Sequence, residues 1–269
     1  MSDSNSPRRK SNTPFVFCFA ELRIKKKLKS IFKKTAKLII EKCGYEIKKL
    51  NSLSSIKLRA EKLFMTHKFD TILDVGAFDG AYAKIVRDAG FIGRIISFEP
   101  LSVAYAELLK NSKKDENWII APQMAIGDKD CTLPINVSAN TVSSSVLEME
   151  EIHLAGAPGS QYVSTEVVNM HRLDSIANCY IGPKNVVFLK IDVQGYEFEV
   201  LEGAKDTLSA VKGMQLELSL AALYKEQKLF IEMLDHIKSC GFELFDLEPI
   251  FRDINTGRLL QLDGIFLRI

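Results

Sequence analysis

The feature that most constrains this chain is an alternation beginning near Thr71, in which short, mainly apolar runs are separated by segments of helical period. The runs at 71–75, 94–98, 118–121, 186–191 and 214–218 are brief and rich in β-branched residues, as strands covered on both faces must be. Helical spacing marks 56–66, 81–89, 102–112, 196–204 and 225–240. Strand, helix, strand in that order predicts βαβ units and a doubly wound α/β sandwich with a largely parallel sheet. The segment 131–172 interrupts the alternation with Ser, Asn, Gly and Pro around two strand-like pieces, 133–137 and 166–170, and reads as an insertion over the binding face. Runs at 242–247 and 264–269, on either side of the turn Asn255-Thr256-Gly257, predict an antiparallel pair closing the sheet edge.

The 269 residues suffice for one core plus an arm, and 51–269 is expected to be the folded domain. The net charge of +2 conceals an asymmetry, since Lys and Arg crowd the stretch Arg8 to Lys49. Residues 1–13 have almost nothing apolar to bury and are expected to be disordered. Within 14–50, Leu22, Ile24, Leu28, Ile31, Phe32, Leu38 and Ile39 recur at helical spacing among lysines, which predicts a basic amphipathic helix ending near Cys43-Gly44. Its stripe can pack on the domain, or residues 22–49 can touch an anionic membrane surface or nucleic acid. The longest early apolar run, 15–20, is far short of the roughly 20 residues of a membrane span, and no cleavage site follows it. A cytoplasmic protein is expected, with the inner membrane face as the alternative placement. The five cysteines form no C-x-x-C pair and no cluster with histidine, so no structural metal is expected.

The loop Asp74-Val75-Gly76-Ala77-Phe78-Asp79-Gly80 joins the first predicted strand to the first helix, the place where such sheets bind ligands. Gly76 is read as letting the backbone approach a ligand, and Gly80 as allowing close entry into the helix. The G-x-G-x-x-G fingerprint of dinucleotide sites is missing, and Asp79 would repel a phosphate. Asp74 and Asp79 suit a ligand carrying an ammonium and a sulfonium, as S-adenosylmethionine does. Glu99, at the end of the second strand and 25 residues after Asp74, can accept hydrogen bonds from both ribose hydroxyls. After the third strand, in the run from Gln123 to Asp128 that includes the binding candidate Ala125, Met124 and Ile126 can wall the base, and backbone groups or Asp128 can meet its edge. Taken singly, each piece has a plainer account as a turn glycine or a surface carboxylate; together, at successive strand ends, they describe a nucleoside site.

The most specific stretch is FLKIDVQGYEFEVLEGA at 188–204. Its Lys190, Asp192, Gly195, Glu197, Leu201, Gly203 and Ala204 resemble, residue for residue, the FkbM family of methyltransferases, which usually has Glu where this chain has Gln194. The glycine loop, Glu99-Pro100, 125–128, Ser143 to Ser145, Arg172-Leu173-Asp174, Glu217-Leu218-Ser219 and Asp263 agree with it, over roughly 38–269. The resemblance implies a Rossmann-like seven-stranded sheet of the S-adenosylmethionine-dependent methyltransferase type behind a basic helical arm. It also implies O-methylation of a hydroxyl on a sugar, a polysaccharide or a secondary metabolite. Asp192, at the end of the fourth strand, is placed to orient the acceptor hydroxyl or take its proton; His171, beside Arg172-Leu173-Asp174, is the second candidate base, with His153 and Asp174 behind it. Rival readings are a nicotinamide-dependent dehydrogenase, which the missing fingerprint opposes, and a non-catalytic module docking to a membrane or partner through its basic arm. Nucleic acid is disfavoured as a partner because N-P-P-Y and Pro-Cys signatures are missing.

Overall fold

The structure, a computed structural model, describes residues 32–46 and 55–268. The tail at 1–13, the start of the basic helix and the expected contacts of residues 22–31 and 47–49 lie outside the described residues. The chain divides into two units, Met1–Ser55 and Ile56–Ile269. In the first, helix α1 occupies 32–42 and stops where its sequence says it should. Gly44 takes φ +83°, Gly44 N–H donates to Glu41 O and Tyr45 N–H donates to Ile40 O, each at 3.0 Å, which satisfies the last carbonyls of the helix. Among the described residues no helix is long and apolar enough to cross a membrane.

The second unit opens with α2 (Ile56–His67) and then follows the predicted alternation: β1 (Thr71–Val75), α3 (Ala81–Asp88), β2 (Arg94–Phe98), α4 (Ser102–Ser112) and β3 (Trp118–Ile120). A smaller sheet comes next, ordered β4-β6-β5, from β4 (Ala125–Ile126), β5 (Cys131–Ser138) and β6 (Tyr162–His171), with α5 (Glu151–Gly156) between the last two. After α6 (Leu173–Ile176) the main sheet resumes with β7 (Val187–Ile191), α7 (Glu197–Glu202), β8 (Val211–Ser219), α8 (Phe230–Ser239), β9 (Phe242–Arg252) and β10 (Leu259–Arg268).

Seven strands form the main sheet in the order β3-β2-β1-β7-β8-β10-β9. β3, β2, β1, β7 and β8 are mutually parallel, and β10 runs antiparallel to both its neighbours. The order reverses between β1 and β7, and right-handed crossovers therefore send α3 and α4 to one face and α7 to the other. Side-chain alternation agrees. Ile72, Ile95 and Phe188 pack with Leu63, Phe64 and Val86 of α2 and α3, while Leu73, Val75, Ile96, Leu189 and Ile191 pack with Val200, Leu201, Met233 and Ile237 of α7 and α8. Rings of Phe64 and Phe69 meet Phe188 at 5.3 and 5.0 Å between centroids and close the α2 side of the core.

Among the segments that depart from expectation, two have a clear local cause. The last helix begins at Phe230, not at 225, because buried Gln227 is tied to its surroundings: its Oε1 accepts Leu223 N–H at 3.0 Å and its Nε2 donates to Ser219 Oγ at 2.9 Å. β9 continues through Pro249 to Arg252, which a proline permits because β9 is the edge of the sheet.

Gly203 ends α7 against the turn after β4, where a Cβ would stand 1.9 Å from the carbonyl oxygen of Gly127. Gly203→Ala is expected to lower unfolding free energy by about 2–3 kcal/mol or more, measured by urea denaturation; an unchanged midpoint would show that the two backbones can separate freely.

Candidate functional site

A cavity of about 390 Å³ opens at the switch point, beyond the carboxyl ends of β1, β2 and β7. The β1 loop enters it with Gly76 at φ +76°. Its glycine is required by the protein itself, since a Cβ there would lie 1.8 Å from the carbonyl oxygen of Asp192. The backbone approach expected toward a ligand is thus first an approach of the β1 loop to the β7 loop. Next to it, Phe78 N–H donates to Glu99 Oε2 at 2.8 Å and Leu101 N–H donates to Glu99 Oε1 at 2.9 Å. Glu99 is 5% exposed and faces the cavity with both oxygens held, each keeping a lone pair for a ligand hydroxyl. Burial pushes its carboxyl up to about 7 against the opposing pull of those two amides.

Gly76, Ala77, Glu99, Ala125 and Ile126 line the cavity, with Met124 beside them. Asp79, Gly80 and Asp128 do not. Asp79 turns away to accept Ala81 N–H at 2.9 Å and to meet Lys84 at 3.8 Å at the start of α3. A Cβ on Gly80 would come within 2.3 Å of the Trp118 indole, so this glycine serves helix packing, as expected, and not a ligand. Asp128 is exposed and accepts the Tyr196 hydroxyl at 3.2 Å. Asp74 lies behind the cavity, fully buried, accepting Ser97 Oγ–H at 2.9 Å; its Oδ1 has no hydrogen-bond partner, and burial raises its carboxyl to about 6.

The register explains what surrounds Asp74. Ser97, Asp74 and Lys190 are paired across β2, β1 and β7, and Gln215 of β8 continues the row, all on the face that α2 and α3 cover. Lys190 is 4% exposed, donates to Asp192 Oδ2 at 2.9 Å and sits 5.4 Å above the Tyr82 ring. Burial alone would lower its pKa, but Asp192, Asp74, Asp263 and Glu217 outweigh burial and hold it raised and charged. Gln194, at φ +55°, gives its amide N–H groups to Asp192 Oδ1 and Glu217 Oε2, both at 2.8 Å, and its Oε1 accepts the Tyr224 hydroxyl at 2.9 Å. Gln261 also donates to Glu217 at 2.8 Å. Both oxygens of Asp192 are therefore oriented, yet its side chain remains 33% exposed toward the cavity. The loop from Thr141 to Val146 forms the opposite wall, and Ser145 Oγ–H donates to the Gln194 carbonyl at 2.6 Å.

The histidine candidates are elsewhere. His171 ends β6, where alternation buries Met170 and turns His171 outward to Asp130 at 3.4 Å, so it lines neither this cavity nor the one beside α2. His153 packs between Tyr224 and Phe251, its pKa lowered to about 4 by burial, and Asp174 accepts Thr207 N–H and Oγ1–H at 2.7 Å. Tyr82, Phe78, Leu101, Gln215 and Tyr196 are the neighbours that pattern reading passed over. Gln215 was readable as a polar residue in a position that alternation assigns to a buried face.

One ammonium, Lys190, thus faces the carboxylates of Asp74, Asp192, Glu217 and Asp263, and one buried carboxylate oxygen is unpaired. Such a set fits a cationic nucleoside with a free diol. The raised carboxyl of Glu99 also makes folding stability pH-sensitive. A carboxyl whose pKa is raised by folding binds its proton more tightly in the folded state, so its contribution is fully present below about 4.5 and is lost as pH rises through about 7. Glu99→Gln is expected to remove up to about 3 kcal/mol of that decline, seen as a smaller fall in Tm between about pH 5 and pH 8 than the unsubstituted protein shows.

The model for the methyltransferase FkbM domain matches residues 74–244. The 2-O-methyltransferase NoeI of Sinorhizobium fredii is 26% identical over 199 residues, spanning 71% of this chain and 80% of its own. Two solved structures show a looser likeness. Fibrillarin of Aeropyrum pernix, in complex with natively bound S-adenosyl-L-methionine, is 14% identical with a TM-score of 0.43 over 77% of this chain and 74% of that one. Magnesium protoporphyrin IX methyltransferase of Synechocystis, with bound SAM, is 8% identical with a TM-score of 0.42 over 79% of each. With its Lys190 to Ala204 motif at the heart of the site and the family model matched across the sheet, the chain belongs to the FkbM family of methyltransferases.

Proposed function

We propose that this protein transfers the methyl group of S-adenosylmethionine to a hydroxyl oxygen of a glycan or another polyhydroxylated small molecule. The observation that carries the reading is Glu99: a buried carboxylate at the end of β2, pinned by two backbone amides, with lone pairs open to the cavity for the two ribose hydroxyls. Met124 and Ile126 offer the apolar wall a base needs, and the carboxylates of Asp192 and Glu217, which line the cavity, suit the ammonium and sulfonium. Bound there, the cofactor would supply an electrophilic methyl group on a positively charged sulfur.

The remaining chemistry belongs to the chain. A hydroxyl is a weak nucleophile, and it needs alignment, shelter from water and an acceptor for its proton. Asp192 is the carboxylate at the strand end with accessible surface, and with His171 turned away it inherits the role of base. Lys190 and Gln194 hold its two oxygens, so an acceptor hydroxyl meets a fixed lone pair. The wall from Thr141 to Val146 shelters this end of the cavity. Oxygen as the attacking atom agrees with the 2-O-methyltransferase relative.

Calorimetric titration with S-adenosylhomocysteine tests the cofactor site. Micromolar binding is expected for the unsubstituted protein, weakened about 50-fold or more by Glu99→Ala, the loss of two hydrogen bonds to a charged group. No binding by folded protein would end the methyltransferase reading of this cavity. Asp192→Asn is expected to keep S-adenosylhomocysteine affinity within about threefold while cutting methyl transfer to a glycan panel about 100-fold or more; undiminished transfer would remove Asp192 from the chemistry.

A further inference from the structure

A second cavity of about 330 Å³ lies on the α2 side of the sheet and meets the first at three shared residues, Tyr82, Lys190 and Asp192. Its composition is divided. Ala60, Leu63, Phe64, Ile85, Val86 and Ile265 make most of its surface apolar, whereas Asp192, Gln215 and Asp263 gather at the shared end. There Gln215 Nε2 donates to Asp263 Oδ2 at 3.0 Å, and the Tyr82 hydroxyl lies 3.4 Å from Gln215 Oε1. The rim is open to solvent and mixed, with Ile56, Ile85 and Ile250 at 56%, 49% and 42% exposed beside the charged Arg59, Asp246 and Glu248. Across it, Arg59 of α2 pairs with Asp246 at 3.0 Å and with Glu248 of β9, so the helix and the edge strand hold the mouth at a set width.

We propose that this second cavity is the acceptor site, and that the acceptor is amphiphilic: a hydroxylated ring presented to Asp192, with an alkyl or aryl portion lying between α2 and β10. The inference rests on the methyl-transfer reading above. Displacement at carbon requires donor and acceptor on opposite sides of the moving methyl group, and two cavities that share the Asp192 side chain offer a separate place for each. Carboxylate and amide groups at the shared end accept and donate hydrogen bonds to ring hydroxyls, but they cover only that end. A sugar alone would leave the apolar remainder, walled by Ala60, Ile85 and Ile265, in contact with water; an attached hydrocarbon would fill it. The chemistry balances simply: a carbon–oxygen bond forms as the sulfur–carbon bond breaks, and the hydroxyl proton passes to Asp192.

The probe is octyl β-glucopyranoside below its micelle-forming concentration, with methyl β-glucopyranoside as the tail-less control. Binding is followed by saturation-transfer NMR and calorimetry, with S-adenosylhomocysteine titrated in parallel. The octyl glycoside is expected to bind about tenfold or more tightly than the methyl glycoside. Ala60→Trp, which fills the cavity, and Ile85→Glu, which charges its rim at an exposed position, should each weaken the octyl glycoside about tenfold and leave S-adenosylhomocysteine affinity unchanged. Equal binding of the two glycosides, or octyl binding indifferent to both substitutions, overturns the amphiphilic acceptor site. Loss of S-adenosylhomocysteine binding by the unsubstituted protein overturns the methyl-transfer reading instead, whatever the glycosides do.

Discussion

A charged lysine in the middle of a sheet is tolerated only if its surroundings return what dehydration removes. Lys190 is paired in register with Asp74, bonded to Asp192, and within the field of Glu217 and Asp263, so strands β1, β7, β8 and β10 are all committed to one ammonium. The α2 and α3 helices cover it, and the Tyr82 ring lies beneath it. Because the carboxylates outnumber it, the cluster remains short of positive charge, and burial raises Asp74, Glu217 and Asp263. A cationic ligand at the adjoining cavity would relieve the same shortage.

Close backbone contacts then fix where the cavity lies. Gly76 allows the β1 loop to touch the Asp192 carbonyl, and Gly203 allows the end of α7 to touch the turn after β4. The first contact brings the nucleoside loop and the proposed base to one point; the second sets the small sheet against the main one, so that Ala125 and Ile126 form a wall. Glycines at such points do their work by omission of a side chain, and a carbonyl oxygen in each case occupies the room.

Periodicity made the fold legible. β1 and β2 occur with the predicted limits, and β7 and α4 match to within a residue, because buried strands and packed helices must repeat their apolar residues at fixed intervals. Limits were less legible where side chains bond locally, as at Gln227 before α8, or where a strand extends along a free edge, as in β9. Site residues divided in the same way. Glu99, Gly76, Ala77, Ala125 and Ile126 follow from being at strand ends, and they line the cavity. Asp79 and Asp128 are adjacent in sequence to such positions but point outward, and His171 is one residue out of phase with the buried side of β6.

By itself the sequence determined the alternation, the strand-end motifs and the identity of the residues from Lys190 to Ala204, since each depends on neighbours within a few positions. Tertiary structure alone decided which distant carboxylates share Lys190, which of the candidate bases reaches the cavity, and that a second cavity meets the first at Asp192. Those properties arise from strand order and register, which bring residues 74, 190, 215 and 263 together, and no local pattern encodes the pairing of strands so far apart along the chain.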